Sequence, residues 1–299
     1  MKVLIIGLGN IGKSHLKSFL LSKRKYNIYV YDKIYDYKYF NQKNIKNNKI
    51  ELLKKFPKSK KFDLCILATN SIERYSILKK LLKYNKIKYM IIEKYIFTKN
   101  SHYQIFKKKL FKINHKLFIN TWGSIVADKF NLKLVKKNLE FKIEIKDGRF
   151  ITNAPHFIDF FLYHTERKLE NMKIDIKKII NSKRVKYNEI LGSITGENKF
   201  GNIKLYSKKK IIYDNIKIID GKNIYKIIIA INKNCTLYKN SILIKKIKFP
   251  FAYKETSNIF EDYFIKKKKK HIYSNFKSNY LISNEIVKKI SERKKINIT

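Results

Sequence analysis

No apolar run in this 299-residue chain approaches the ~20 residues that a membrane-crossing helix needs. The opening MKVLIIGLGN is apolar but broken by glycines, and no A-x-A-like cleavage site follows it. It reads as the first buried strand of a cytoplasmic protein. Cysteine occurs only as Cys65 and Cys235, neither within a metal-ligand spacing. Two reduced, partly buried thiols are expected, and no metal. Acidic residues are few: 23 Asp and Glu stand against 69 Lys and Arg, giving a formal net charge of +46. Such a balance raises a polyanion partner as a possibility. Ala, Gly, Pro and Arg, which have G/C-rich codons, are scarce, while Lys, Ile, Asn, Tyr and Phe abound. An A/T-biased coding sequence produces that pattern without selection for nucleic acid. The lysines are spread along the chain, with one dense block at 266–270. The basic surface is therefore read as solvated, and neither a nucleic-acid nor a membrane partner is expected. No internal repeat is evident.

What is present is a mass of 35.9 kDa with 44% hydrophobic residues, enough for one or two domains. Residues 2–6, 28–31, 63–68, 89–92 and 117–120 are short apolar, β-rich runs. Helical patterns at 13–21, 72–84 and 101–111 lie between them, with Ser71 as the expected N-cap of the second. Continuous apolar strands alternating with helices imply a parallel sheet covered on both faces. After residue 120 the pattern changes. A strand at 141–145 and a buried helix at 156–163 precede repeated β-rich runs from 190 to 249, with Asp-Gly and similar turns between them. Closing helices are expected at 256–265 and 283–290. The expected class is α/β: a doubly wound parallel sheet in a domain at 1–120, then an α+β domain at 121–299 built on a large, mostly antiparallel sheet.

The first strand-to-helix turn reads Gly7-Leu8-Gly9-Asn10-Ile11-Gly12-Lys13-Ser14. Gly7, Gly9 and Gly12 fit G-x-G-x-x-G, the dinucleotide turn whose glycines allow the tight bend, the approach of backbone to pyrophosphate and close helix–strand packing. The same string fits G-x-x-x-x-G-K-S/T, the phosphate loop of nucleoside triphosphatases. Asp32, ending the second strand, favours the first reading, because a dinucleotide site needs a carboxylate there for the ribose hydroxyls. It also favours NAD over NADP, although the adjacent Lys33 leaves NADP open. For chemistry, hydride transfer at a carbinol carbon needs a cation beside the oxygen and a group that handles its proton. Glu93-Lys94 follows the fourth strand at the edge where open α/β sheets bind ligands. His156 begins the apolar stretch HFIDFF. A surface lysine and a core histidine are the bland alternatives.

Taken together, GLGNIGKSHLKSF, LCILATNSIERYSILKKLL, MIIEKYIF and NAPHFIDFF resemble, in order and spacing, the glucose–fructose oxidoreductase/inositol dehydrogenase family along nearly the whole chain. The resemblance implies a Rossmann domain and an NAD(P)-dependent dehydrogenase acting on CH–OH groups of a sugar or sugar derivative. Lys94 would bind the reacting hydroxyl and steer the nicotinamide, and His156 would be acid/base. Gly7, Gly9, Asn10, Ile11, Gly12, Asp32, Ala68, Thr69, Asn70, Glu93 and Lys94 would form the cofactor groove. Asn153, Lys183 and Arg184 would join Lys94 and His156 at the substrate, with Ser182-Lys183-Arg184 suited to a phosphate or carboxylate. The stretch at 153–160, with Ser182-Lys183-Arg184 and Glu189-Ile190-Leu191-Gly192, resembles a branch linked to bacterial surface-polysaccharide synthesis. The resemblance also implies a homo-oligomer joined through the open sheet. Two positions depart from the family: Tyr95 stands where it has a proline, and Thr152 where many members have an aspartate. Those departures keep a non-catalytic dinucleotide-binding sensor or subunit as the alternative.

Overall fold

The computed structural model describes residues 1–34, 49–135, 137–166, 168–182, 186–231, 233–251, 254–266, 274–292 and 298. Lys183, Arg184 and most of the basic block at 266–270 lie outside the described residues. The chain forms two compact units.

The first unit begins with β1 (Lys2–Ile6), α1 (Asn10–Leu20), β2 (Asn27–Tyr31) and β3 (Lys49–Leu52). It continues through β4 (Lys61–Leu67), α2 (Ser71–Tyr84), β5 (Lys86–Glu93), α3 (Asn100–Lys112) and β6 (Leu117–Asn120). Strands β1 to β6 pair in parallel in the order β3-β2-β1-β4-β5-β6. The chain winds outward from β1 in one direction and from β4 in the other. Val3, Leu4, Ile5, Leu64, Cys65, Ile91 and Ile92 are fully buried, as strands with both faces covered must be. The order reverses between β1 and β4, and the loops after those two strands emerge side by side there, where doubly wound sheets hold ligands. The cap of α2 is Asn70 rather than Ser71: the Asn70 side chain accepts from the Glu73 N–H at 3.1 Å. An Asn-Ser pair offers two competent caps, and the backbone geometry selects the first.

The second unit opens with α4 (Gly123–Phe130), β7 (Leu139–Lys146) and α5 (Phe150–His164). Seven strands follow: β8 (Glu170–Asn181), β9 (Asn188–Asn198), β10 (Gly201–Lys208), β11 (Asp214–Asp220), β12 (Asn223–Ile229), β13 (Asn234–Lys239) and β14 (Ile242–Lys248). They form, with β7, one eight-stranded sheet in the order β14-β13-β12-β11-β7-β10-β9-β8, antiparallel except where β7 meets β10. Phe141, Ile143, Ile203, Leu205, Ile216 and Ile218 are buried on one face with the apolar α5. Lys142, Lys204, Lys217 and Lys226 alternate with them on the other face and are exposed. β8 lies on the edge of this sheet, and its alternation of Met172, Ile174 and Ile176 with Lys173, Asp175 and Lys177 gives it a half-buried face.

The sequence pattern places all of 121–299 in one domain. In the structure Phe251–Phe276 belongs to the first unit instead. Its helix α6 (Thr256–Phe260) covers α1, with the Ser257 hydroxyl donating to the Ser18 carbonyl at 2.8 Å. The Phe260 ring lies 6.3 Å from that of Phe19. Apolar and hydroxyl contacts of this kind join residues far apart in the chain, so no local signal marks the return. A π-turn at Glu261–Ile265 follows, and Tyr26 and Ser22 both donate to the Glu261 carboxylate at 2.6 Å. The short β15 (Ser274–Asn275) adds antiparallel to β6, and α7 (Phe276–Ser291) ends the described chain apart from Glu292 and Ile298. Among the described residues, no helix is long and apolar enough to cross a membrane. Cys65 and Cys235 are buried and free, and burial pushes both thiols upward, Cys235 to about 12.

Candidate functional site: a glycine cleft and two polar clusters

The turn after β1 bends through Gly7, whose φ of +94° lies in the left-handed region open to glycine. A Cβ on Gly12 would sit 1.7 Å from the Gly7 carbonyl oxygen, so the third glycine lets α1 start against the strand end. At Gly9 a Cβ would meet nothing within 4 Å. The backbone there faces open space, as a pyrophosphate-approaching residue must. Asp32 closes the turn from β2: its Oδ2 accepts from the Leu8 N–H at 2.5 Å and its Oδ1 from the Ile34 N–H at 2.9 Å.

These residues line a cavity of about 240 Å³. Of the expected cofactor residues it brings together Gly7, Gly9, Asp32, Ala68, Thr69 and Asn70, with Ile6, Tyr31, Lys33, Ile34, Glu73 and Ile77. Asn10 and Ile11 lie at the start of α1, where helix N–H groups have no partner within the helix. Gly12 is buried against Gly7. The donor set and the space over Gly9 fit a dinucleotide. A larger hollow, about 790 Å³, lies on the open face of the eight-stranded sheet and contains none of the expected site residues.

Glu93 ends β5 and Lys94 follows it, both apart from the lining of the smaller cavity. The Glu93 carboxylate is turned into the unit. His15 Nε2 lies 3.4 Å from it, and the Asn120 amide donates to it. His15 Nδ1 meets the Thr256 hydroxyl at 2.6 Å. Burial favours the neutral acid here. The hydrogen bond and charge of His15, the Arg74 charge and the Asn120 amide outweigh burial and hold the Glu93 carboxyl below its ordinary value. Glu93 therefore ties α1, β5, β6 and the returning segment together, a different task from the expected cofactor contact. Lys94 is half-buried. Tyr95 follows with φ +49°, an angle closed to the proline that the family resemblance would place there. Arg74 of α2 donates to the carbonyls of Thr69, Glu93, Lys94 and Tyr95. Neither Arg74 nor His15 stands out in the sequence. Each sits about a turn into the helix after a ligand-edge loop, and that offset is the only signal they carry.

His156 lies in the second unit, on α5, and is only 7% exposed. Its ring stacks on Trp122 with centroids 4.7 Å apart, and its Nδ1 accepts from the Trp122 N–H at 3.3 Å. A neutral ring held this way carries its hydrogen on Nε2. Asp159, one turn further along α5, accepts from the Thr121 hydroxyl at 2.6 Å and from the Ser124 N–H at 2.8 Å. It thereby caps α4 and fixes the Trp122 loop. A Cβ on Gly123 would come within 1.9 Å of the His156 carbonyl oxygen, so the two helices touch backbone to backbone.

Thr152 meets a carboxylate from β9. Glu189, 1% exposed, accepts from the Ile151 N–H at 3.0 Å, the Thr152 N–H at 3.2 Å and the Thr152 hydroxyl. It caps α5, which has no acid in its own first turn. Asn153 is buried beside Asp214, which also accepts from the Lys146 N–H and from Arg149. Burial raises the Asp214 carboxyl despite these partners.

No protein-family model matches the chain. No curated protein matches it either. Solved structures do match. A dehydrogenase (MviM) from Clostridium difficile is similar with a TM-score of 0.63 at 14% identity, over 98% of this chain and 99% of that one. Biliverdin reductase from Synechocystis, solved with biliverdin and NADP+, is similar with a TM-score of 0.65 at 10% identity, over 97% and 98%. UDP-N-acetylglucosamine 3-dehydrogenase GnnA from Acidithiobacillus ferrooxidans is similar with a TM-score of 0.63 at 9% identity, over 98% and 97%. At such identities the likeness is one of fold, and it extends over almost the full length of each chain.

Proposed function

We propose that this chain is an NAD(P)-dependent oxidoreductase that moves a hydride between nicotinamide and a hydroxyl or carbonyl carbon of a sugar or sugar derivative. The observation that carries this reading is the cleft at the β1/β4 crossover. There a G-x-G-x-x-G turn with open space over Gly9 faces the Asp32 carboxylate and the Ala68–Thr69–Asn70 loop. The dehydrogenases of like fold support it. A triphosphate in the same turn would meet the Asp32 carboxylate beside Leu8, which weighs against a phosphate-loop hydrolase.

In this reading the glycine turn and the N–H groups of Asn10 and Ile11 bind the pyrophosphate, and Asp32 takes ribose hydroxyls. The nicotinamide, when bound, supplies or accepts the hydride. Lys94 holds the substrate oxygen and stabilises its developing negative charge. His156, with Nδ1 occupied, presents Nε2–H to the proton transfer. Asn153, Lys183 and Arg184 are proposed substrate contacts. NAD is the preferred cofactor. Association of copies through the open sheet face, where Ile224 and Leu243 are exposed, is part of the same reading, as are a cytoplasmic setting and a place in surface-polysaccharide synthesis.

The test is a fluorescence titration with NADH, NADPH and magnesium-ATP on wild type and Asp32→Ala. NADH binding that shifts towards NADPH in the variant supports the reading. Binding of magnesium-ATP alone, or of nothing, removes it. Cofactor binding with no turnover on any sugar would favour the sensor alternative.

A further inference from the structure

We infer that Arg74 is the positioning residue for Lys94: one buried guanidinium ties the Thr69 loop, a wall of the cofactor cleft, to the turn that carries Lys94. The inference rests on the cofactor reading above.

Arg74 lies in the first turn of α2 and is 4% exposed. One edge of its fork, Nε and Nη2, donates to the Thr69 carbonyl at 3.0 and 2.7 Å. Nη1 donates to the carbonyls of Glu93, Lys94 and Tyr95 at 2.9, 3.0 and 2.6 Å. These five bonds go to main-chain oxygens, four carbonyls in two loops. Three successive carbonyls can converge on one nitrogen only if the chain curls around it. The left-handed Tyr95, at φ +49°, provides that curl. A non-glycine residue persists in that region when its surroundings hold it there, and Arg74 grips the carbonyls on both sides of Lys94. The Glu93 side chain pins the preceding residue from the opposite direction through His15 and Asn120.

Arginine suits this task and lysine does not. A planar guanidinium presents donors along two edges at once, whereas an ammonium is a single nitrogen that can serve Thr69 or the Lys94 turn. Because Thr69 O and the Lys94 carbonyl share one rigid fork, the cleft wall and the Lys94 backbone cannot shift independently. The consequence for binding is selective. In the cofactor reading Lys94 steers the nicotinamide while Gly7, Gly9 and Asp32 take the pyrophosphate and ribose, so loosening the Lys94 turn should act chiefly at the nicotinamide end.

The experiment compares wild type, Arg74→Lys and Arg74→Ala by titration with NADH and with ADP-ribose, which shares everything but the nicotinamide. Both variants should lose about tenfold in NADH affinity, because the turn that steers the nicotinamide is no longer held. ADP-ribose affinity should stay within about twofold. Millimolar guanidinium should restore NADH binding in Arg74→Ala and leave Arg74→Lys unchanged. Equal weakening of both ligands, or unchanged NADH binding, overturns the inference. Should Arg74→Ala fail to fold, Arg74→Lys, which keeps the charge, decides the matter by the same comparison. Amide exchange gives a readout that needs no ligand. Arg74→Lys should speed exchange at residues 94–97 while leaving β1 and the rest of α2 unchanged, and no change at 94–97 also overturns the inference. Wild type that binds neither NADH nor ADP-ribose refutes the cofactor reading instead, and amide exchange at 94–97 then decides by itself whether Arg74 clamps the turn.

Discussion

Glu189→Gln should open the first turn of α5 without touching the first unit. In the wild type the buried carboxylate takes, among the described residues, hydrogen bonds from Ile151 N–H, Thr152 N–H and the Thr152 hydroxyl, at the positive end of a 15-residue helix. A glutamine keeps one carbonyl oxygen and turns an NH2 group towards a donor. One charged hydrogen bond is lost, at about 1.5–3 kcal/mol, and the others become neutral ones worth less. The favourable interaction with the helix dipole, about 1 kcal/mol, goes too. Together the loss is about 3 kcal/mol, or two factors of ten in the local opening equilibrium, at about 1.4 kcal/mol each. Amide exchange resolved to Ile151 and Thr152 measures it: both should exchange about a hundredfold faster, with β1 and β4 unchanged. Thr152→Val removes one donor and leaves the Ile151 and Thr152 N–H groups. Its effect should therefore shrink by about 1 kcal/mol in the Glu189→Gln background. Exchange at Ile151 and Thr152 that changes less than about threefold, or strict additivity in the double variant, would refute the capping argument.

Other outcomes follow from the same structure. Gly12→Ala, whose Cβ would lie 1.7 Å from the Gly7 oxygen, should weaken NADH binding by at least about tenfold, because helix and strand must separate; titration checks it. Gly123→Ala should lower stability by about 1–3 kcal/mol or more through backbone overlap with His156 and Phe160, read as a drop in urea midpoint. Glu93 has a folded pKa below its ordinary 4.5. Its contribution is therefore complete above that value and is lost as pH falls through the folded one. Urea titrations across that range should show a shallower acid limb for Glu93→Gln than for wild type. Lys94→Ala should abolish turnover and largely spare ADP-ribose affinity; equal turnover would remove Lys94 from the mechanism.

Much of the first unit was legible because its signals are local. Strands 117–120 and 2–6 coincide with β6 and β1, since buried parallel strands are continuous apolar runs bounded by turn residues. Gly7, Gly9 and Gly12 announced themselves by spacing; the structure gives Gly7 and Gly12 distinct steric reasons, while Gly9 faces open space. Four elements escaped: β3, α4, β8 and the two-residue β15. β3 is a four-residue edge strand and α4 has eight residues, too short for a period to emerge. β8 alternates apolar with charged residues, but in a lysine-rich chain that pattern does not stand out.

The candidate site divides along the same line. Sequence alone set the alternation of strand and helix, the glycine turn, the acid at the end of β2, and the presence of Lys94 and His156 in suggestive strings. These depend on residues a few positions apart, so chain chemistry and periodicity suffice. Only the tertiary structure decided which partners hold them. Arg74 grips carbonyls about twenty residues away in sequence, and Glu189 caps a helix 37 or 38 residues before it. Segment Phe251–Phe276 returns across more than 200 residues to place Thr256 on His15. Buried polar groups must find hydrogen-bond partners, but the requirement does not say where along the chain those partners lie. Folding brings them together through sheet order and helix packing, which no local pattern encodes.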